Sequence, residues 1–204
     1  IKAQELHYLS IHDTKHRFGI ILGERNGVLR SPFSAPFGGF TTNGKQTIKR
    51  MEEAVDLLLA YAEKQSMQLA ITPQPLIYDE TQLSKWVSVL SRKMSVRYID
   101  LNYYVDLSRI DNYEKIIDRS AKKNLHNALK SSFNLIKLCS NEHKEVARAY
   151  EVIRHNREEH NYPLRMTLEQ VWQTVKNVIK SDFFVLEHKG RDVAAAQVFH
   201  VAEG

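Results

Sequence analysis

Hydrophobic and polar residues along the chain alternate between strand and helix patterns, which is typical of an α/β protein. Near the start, the Asn26-Gly27 pair predicts a two-residue hairpin turn, because both residues tolerate a left-handed backbone. From about residue 45, apolar residues recur at three- and four-residue steps and predict an amphipathic helix. The predicted elements of this half are strands at 6–11, 18–22 and 28–30, the helix from residue 45, a strand at 67–72, a helix at 81–93 and a strand at 96–107.

The second half of the chain is richer in predicted helix and closes on a hairpin. Asp111 is placed to cap a long helix, because its carboxylate can accept the free amides of a first turn. The predicted elements are a helix at 112–132, a strand at 134–138, helices at 142–160 and 167–180, and hairpin strands at 183–187 and 193–201. This mixture predicts an α/β or α+β fold, with a mixed sheet flanked by helices and a boundary near 108–112.

Candidate core residues follow from the same periodicity. The residues expected to face inward on helices are Leu83, Trp86, Val87 and Leu90 in the first half and Leu125, Ala128 and Leu129 in the second. Cys139 follows an apolar stretch and predicts a packed thiol. As the single cysteine, it excludes an internal disulfide and a cysteine-rich metal site.

Composition narrows the class of protein without identifying it. With 43% hydrophobic and 26% charged residues, a chain of 204 residues is expected to fold around a core. No apolar run approaches the roughly 20 residues of a membrane span, and no basic-then-apolar leader is recognised, so a cytoplasmic protein is expected. The net charge of +5 is compatible with an anionic ligand such as a nucleotide cofactor, a phosphosugar or RNA.

Familiar catalytic motifs are missing from the sequence, including the phosphate-binding loop, the dinucleotide turn and the serine-hydrolase elbow. His155 and His160 are five residues apart on a predicted helix, which does not align two imidazoles on one face. His12 and His16 have the four-residue spacing, but they lie in a predicted turn and lack the glutamate of zinc proteases. We therefore expect no bound metal, and spacing alone identifies no catalytic residue.

Two segments remain candidates for a binding site. The loop Ser31–Phe40 holds two prolines and two glycines, whose amides can approach a ligand closely; the alternative is a plain strand-to-helix connection. In the polar stretch near 154–162, Arg157, His160 and Tyr162 line a pocket in one interpretation. In the other interpretation they form a solvated helix end, where cations are favoured by the helix dipole.

The helix predicted at 112–132 is strongly basic. Its cations are Lys115, Arg119, Lys122, Lys123 and Lys130. Contacts between these cations and phosphates would give salt-dependent nucleic-acid binding. The alternative is an ordinary helix whose apolar residues are packed and whose lysines are solvated, and no RNA-binding sheet motif with paired aromatics is visible.

Three segments together carry a family resemblance. They are the strand-rich start leading into the loop at 31–39, the basic helix segment at 120–130, and the closing stretch from His160-Asn161-Tyr162-Pro163-Leu164 through a helix to the hairpin strands at 182–187 and 193–199. In this combination the chain resembles the Fem-like branch of the GNAT N-acyltransferase superfamily. In the GNAT pattern, a substrate helix precedes two hairpin strands, and the second strand supports acyl-CoA.

The resemblance implies a GNAT-like α/β (α+β) fold in two related units, 1–108 and 109–204, the second incomplete because it ends before the expected pyrophosphate loop. It implies an enzyme that moves an acyl group from acyl-CoA, such as acetyl-CoA, or from aminoacyl-tRNA to an amine. The amine would be a small molecule or a peptidoglycan precursor of the cell envelope. The alternatives are a non-catalytic binding module that kept the fold, and an RNA- or tRNA-binding protein.

The same resemblance assigns candidate site residues. One wall of the substrate cleft would be formed by Ser34, Phe37, Gly38 and Gly39, and the other by Lys123, Arg157, His160 and Tyr162. The acyl donor would be flanked by Ala195, Gln197 and Val198 in the last strand. The general base stays open among Glu158, His160 and Tyr162.

Overall fold

The structure, a computed structural model, describes residues 3–201 and divides into two compact units between Val105 and Asp106. The first unit contains strands β1 (Glu5–His12), β2 (His16–Arg25), β3 (Val28–Ser31), β4 (Thr41–Thr42) and β5 (Gln68–Ile71), helices α1 (Ile48–Lys64) and α2 (Glu80–Lys93), and a 3₁₀ turn at Leu76–Tyr78. The second contains a 3₁₀ turn at Leu107–Asn112, helices α3 (Tyr113–Ile116), α4 (Arg119–Leu129), α5 (His143–Glu159) and α6 (Leu168–Asn177), and strands β6 (Phe133–Leu138), β7 (Ser181–His188) and β8 (Arg191–Phe199).

The first unit is a mixed sheet in the order β1-β2-β3-β5, with β4 also paired to β2. Strands β3 and β5 are parallel, because helix α1 carries the chain back across the sheet, and the other pairs are antiparallel. Alternation along β2 points Phe18, Ile20 and Leu22 into the core, where they meet buried residues of α1 and α2. The opposite face of β2 carries Ile21, which is exposed.

The Asn26-Gly27 hairpin is confirmed. Both residues have positive φ, 52° and 73°, as a type I′ turn requires, and β2 pairs with β3 directly across them.

Three helices begin at a side chain that caps their first turn. Thr47 caps α1, Asp79 caps α2, and Thr167 forms a capping box with Gln170 at the start of α6.

The second unit is an antiparallel sheet in the order β6-β7-β8. Phe183 and Val185 of β7 are fully buried against Val146 and Ala149 of α5 and Val171 of α6. Burying this face is the main stabilising contribution, because each large apolar side chain removed from water contributes roughly 2 kcal/mol. The order of strands and helices in this unit differs from that in the first unit. The expectation that the two units are related to one another remains a prediction.

The strand predicted at 96–107 is wrong. Residues 96–106 are neither strand nor helix, and the side chains at alternating positions, such as Ile99 and Tyr103, are exposed. An alternating pattern forms a strand only when a neighbouring strand supplies hydrogen bonds. Within residues 3–201 no strand pairs with this segment.

The long helix predicted at 112–132 is broken into α3 and α4. Asp118 caps α4, in place of the expected Asp111, and accepts hydrogen bonds from the amides of Ala121 and Ser120. These amides hold the pKa of Asp118 below its ordinary value. No residue of α4 is buried, so the core role expected for Leu125, Ala128 and Leu129 is wrong.

Two smaller expectations also fail. Val87 was expected in the core, but it is exposed, and Val89 takes the buried position on α2. The thiol of Cys139 is exposed rather than packed. The buried positions belong to Val89, two residues beyond Val87, and to Leu138, which directly precedes Cys139. Periodicity over a short stretch does not determine the rotation of a helix or the end of a strand.

At the coarse level the predicted class is correct: within residues 3–201 the chain is a mixed α/β protein with two sheets and six helices, which is compatible with an α+β fold. In that same range, no helix combines the length and the apolar character needed to cross a membrane.

Candidate functional site

The Ser31–Phe40 loop leaves β3 and is closed on itself by hydrogen bonds. Ser31 is buried, and its Oγ accepts a hydrogen bond of 3.0 Å from the Gly39 amide. The Gly38 amide donates to the Thr72 carbonyl at 2.8 Å. Both glycine amides are therefore already used inside the protein, as a plain strand-to-helix connection would have them, and a role of this loop in binding a ligand stays a prediction.

Steric space explains why glycine occupies these two positions. A Cβ on Gly38 would lie 2.7 Å from the backbone nitrogen of Pro32, closer than real Cβ contacts come. Gly39 has a φ of +98°, which side chains rarely tolerate. Gly38 and Gly39 thus close the loop, whereas the exposed Ser34 and the half-buried Phe37 remain on its accessible side.

Aromatic contacts anchor the loop. The ring of Phe40 stacks on Trp86 with centroids 4.5 Å apart, and Phe18 packs edge-on against both. Phe37 instead leans on Tyr78, with centroids 5.2 Å apart. Since Tyr78 is itself exposed, the Phe37–Tyr78 pair gives the first unit an aromatic surface beside Ser34.

In the second unit, the end of α5 brings three predicted residues together. The helix terminates in a Schellman motif: Asn161 has a φ of 55°, its amide donates to Glu158, and the Tyr162 amide donates to Arg157. This turn fixes His160 and Tyr162 against one another, with ring planes 9° apart and centroids separated by 6.0 Å. The Arg157 guanidinium lies 5.9 Å from the centroid of the Tyr162 ring.

The hydrogen bond of His160 defines which ring nitrogen is free. Its Nδ1 lies 2.8 Å from the Asn156 carbonyl oxygen, which can only accept, so Nδ1 carries the hydrogen. In the neutral ring, Nε2 then bears a lone pair and can take a proton. The side chain is exposed, so that nitrogen is accessible to a ligand.

Charge partners distinguish the two arginines of this helix end. Arg154 is bound by Glu151 and Glu158, and these hydrogen bonds raise its pKa above the ordinary value. Arg157 has no ion pair with a carboxylate within residues 3–201. Its positive charge therefore remains available for an anionic or polarised group of a ligand.

Strand β8 forms one edge of its sheet, so one side of its backbone has no partner strand within residues 3–201. Leu186 pairs with Ala194 and Glu187 with Asp192, which makes Val193 the extra residue of a β-bulge. The three strand residues predicted for the donor differ in position. Ala195 packs on the core, Gln197 donates to the Ser181 hydroxyl at 3.4 Å, and Val198 is exposed on the other face.

An open cleft of about 300 Å³ lies between α5 and the start of β8. Its lining residues are Glu151, Val152, His155, Asn156, Glu159, Asp192 and Val193. Arg148 fixes one side of the cleft by donating two hydrogen bonds to Asp192, at 2.7 and 2.8 Å. The cleft thus joins the bulge of β8 to Asn156, the residue that orients His160.

Asp192→Asn is expected to lower the free energy of unfolding by about 1 kcal/mol at neutral pH, since the charge-assisted pair is partly exposed. Hydrogen bonds from Arg148 hold the pKa of Asp192 below its ordinary value. The carboxylate therefore stabilises the fold above its ordinary pKa, and this contribution is lost as pH falls through the lowered pKa. Urea unfolding at neutral and acidic pH measures the difference.

Asp111→Asn is the matched control, because Asp111 is exposed in the same unit and makes no hydrogen bond through its side chain within the described residues. It should leave stability nearly unchanged at both pH values. If Asp192→Asn lowered the free energy of unfolding equally at acidic pH, the charge of Asp192 would not be the source of the stabilisation.

Lys123 does not join the cluster by any hydrogen bond or ion pair within the described part of the chain. It lies exposed on α4, whereas Arg157, His160 and Tyr162 belong to the end of α5. The loop residues Ser34, Phe37, Gly38 and Gly39 belong to the other unit. The eight residues predicted to form the cleft walls therefore do not form one group. The four loop residues lie in the first unit, the three residues at the end of α5 lie together in the second, and Lys123 lies apart from them on α4.

Arg148, Asn156 and Asp192 were not among the residues that the sequence predicted for the site. Arg148 and Asp192 are 44 residues apart, so no local pattern connects them. The one available signal was the short turn Lys189-Gly190, which is followed by Arg191 and then Asp192 and so places Asp192 near the start of a hairpin strand.

In comparisons with known proteins, no family model matches the chain, and no curated protein gives a significant match.

Proposed function

We propose that this chain is an N-acyltransferase or aminoacyltransferase of the GNAT-like, Fem-like class, with its reactive cluster at the end of α5. The order of elements in the second unit supports this assignment, because α5 and α6 precede the hairpin β7–β8. That is the order of the resemblance noted in the sequence, in which a substrate helix precedes two hairpin strands.

One observation carries the proposal: a histidine with a defined free nitrogen lies beside a tyrosine and an arginine that has no carboxylate partner within residues 3–201. The Nδ1 of His160 is held by the Asn156 carbonyl, and its Nε2 faces out as a proton acceptor. A general base and a cation that can stabilise an oxyanion are groups that promote acyl transfer to an amine, and here they lie beside a hydroxyl at one helix end.

The reaction assigns each group a role. The amine nitrogen forms a bond to the acyl carbon, and His160 Nε2 accepts the proton that the nitrogen loses. Arg157 stabilises the negative oxygen of the tetrahedral intermediate. The bond from carbon to the sulfur of coenzyme A, or to the ribose oxygen of tRNA, then breaks. The proton passes to that leaving atom, either directly or through the Tyr162 hydroxyl, so that an amide and a free thiol or hydroxyl are formed.

The acyl donor is proposed to lie along β8. Its unpaired edge offers amide and carbonyl groups to an extended, amide-containing chain such as the arm of acyl-CoA. Val198 presents an apolar side chain on the exposed face, whereas Ala195 and Gln197 support the strand from the core side. The acceptor amine would be a small molecule or a peptidoglycan precursor.

The test is product formation. The protein is incubated with acetyl-CoA, longer acyl-CoA or aminoacyl-tRNA together with a panel of amines, and mass spectrometry measures acylated product. The expected result is a product whose mass equals the amine plus the acyl group and that depends on the protein. A chain that binds amines but acylates none of them would instead be the non-catalytic binding module.

A second candidate function, RNA or tRNA binding, is favoured by one observation. Helix α4 buries no residue, and its basic side chains Arg119, Lys122 and Lys123 have no ion pair within residues 3–201. Such a helix can place several cations on phosphates. It is also compatible with the proposed transferase, if the donor is aminoacyl-tRNA.

Changing Lys122 and Lys123 together to glutamine is expected to weaken tRNA binding. The logarithm of the affinity falls linearly with the logarithm of the salt concentration. Each cation removed from a phosphate should make this fall shallower by roughly 1. Fluorescence anisotropy with bulk tRNA at several salt concentrations measures both effects. The control is Lys49→Gln with Lys64→Gln on α1, which removes the same charge from exposed positions. Equal weakening in both double variants would contradict a specific role for α4.

A further inference from the structure

Three side chains converge where β1 begins and β2 ends. Glu5 and His7 are two residues apart on β1, so both point to the same face of the sheet. Glu24 is paired directly with Glu5 across the ladder. One nitrogen or oxygen atom from each side chain lies within 4.8 Å of the others, and this is the only such group of three found within residues 3–201.

The charges in this cluster are unbalanced. Like charges directly opposite one another in an antiparallel pair destabilise the sheet. Within the described residues, neither Glu5 nor Glu24 forms an ion pair with lysine or arginine, and the one contact between charged groups is His7 Nε2 to Glu24 at 3.1 Å. A divalent cation between the two carboxylates would turn this repulsion into attraction.

His7 is held in a fixed orientation. Its side chain is only 9% exposed, and its Nδ1 lies 2.7 Å from the Tyr61 hydroxyl on α1. A histidine that binds a metal is commonly oriented in this way by a partner on its other nitrogen. Without metal, Tyr61 donates to Nδ1 while Nε2–H donates to Glu24. With metal on Nε2, the ring hydrogen moves to Nδ1 and the Tyr61 oxygen accepts it.

We propose that Glu5, His7 and Glu24 bind a first-row divalent metal ion, with Zn²⁺ the preferred probe. One imidazole nitrogen and two carboxylate oxygens suit zinc better than magnesium or calcium, which prefer oxygen ligands alone. Glu5 is exposed, so water can fill the remaining coordination position. The ion would join β1, β2 and, through Tyr61, α1. Its role is independent of the proposed transferase chemistry.

The experiment is calorimetric titration of Zn²⁺ into chelator-treated protein, with the melting temperature measured alongside. We expect one zinc per chain and a melting temperature raised by more than about 5 °C at free Zn²⁺ roughly 100 times the dissociation constant. Glu5→Gln and His7→Gln should abolish both effects. Tyr61→Phe should weaken binding by about 10-fold, since it removes only the group that orients His7.

His126→Gln is the matched control, because His126 forms a similar contact with Glu114 at 3.0 Å in the other unit, and within residues 3–201 no third ligand joins that pair. It should bind zinc as the unchanged protein does. Glu5→Gln tests the site without disturbing the core, because Glu5 is exposed and His7 keeps both hydrogen bonds. Zinc binding that survives Glu5→Gln and His7→Gln, or no binding at all, would overturn the proposal and leave a hydrogen-bonded cluster only.

Discussion

Replacing His160 with alanine is expected to slow acyl transfer by about 10²- to 10⁴-fold, the usual contribution of a positioned general base. The imidazole is the group that would take the proton of the amine, and Asn156 fixes which nitrogen is free to do so. The rate of product formation at saturating donor, measured by mass spectrometry, reports this loss directly.

The control for this variant is His143→Ala. His143 is an exposed histidine at the start of α5, where its ring lies edge-on to Trp172 and does not line the cleft. Its replacement should leave the rate close to that of the unchanged protein. Because His160 is exposed, its loss should change stability by less than about 0.5 kcal/mol. Similar rates for both variants would contradict the assignment of His160 as the base.

Trp86→Ala is expected to lower the free energy of unfolding of the first unit by about 3 to 5 kcal/mol. The indole is 4% exposed, stacks on Phe40 and meets Phe18 edge-on, so its removal leaves a cavity and takes one aromatic contact from each of these two rings. Phe40 closes the Ser31–Phe40 loop, so the same change should also loosen that loop. Urea unfolding followed by circular dichroism measures the stability.

Val87→Ala provides the comparison for Trp86→Ala. The two residues are adjacent on α2, but Val87 is 47% exposed, and its truncation should cost less than about 0.5 kcal/mol. If the two variants were equally stable, the packing of the loop on α2 described above would be incorrect. Limited proteolysis of the Ser31–Phe40 loop in both proteins would separate a local loosening from global unfolding.

The features that sequence predicted well depend on local chemistry. The turn at Asn26-Gly27 is set by two adjacent residues that accept positive φ. Helices α1 and α5 carry long apolar repeats, and α6 begins with a capping box. In each case the residues that determine the element are neighbours in the chain, so their pattern is visible without knowledge of the fold.

The features that sequence missed depend on partners distant in the chain. The segment at 96–107 has the alternation of a strand, but a strand needs a hydrogen-bonded neighbour that alternation cannot supply. Asp118 replaces Asp111 as a helix cap because the chain breaks at Ile117, whose extended backbone follows α3. The periodic pattern of apolar residues continues from α3 into α4, so it does not reveal that the helix is interrupted between them.

The candidate site shows the same division. Sequence could predict that Arg157, His160 and Tyr162 lie together, because one helix end holds all three; their role in a site stays a prediction. The glycines of the Ser31–Phe40 loop were predicted as binding residues from their freedom of approach, but sequence does not show that their amides are bound by Ser31 and by Thr72, which follows a different strand. The Glu5, His7 and Glu24 cluster exists only through the register of β1 with β2, which no search for histidine spacing detects.

The most direct test of the central claim is calorimetric titration of the acyl donors into the protein: acetyl-CoA, then longer acyl-CoA species, then aminoacyl-tRNA. We expect one of these donors to bind saturably. We also expect Val198→Asp on β8 to weaken that binding, whereas Val178→Asp, at another exposed valine of the same unit, should not. Absence of binding by every donor, or equal binding by both variants, would contradict a transferase whose donor lies along β8.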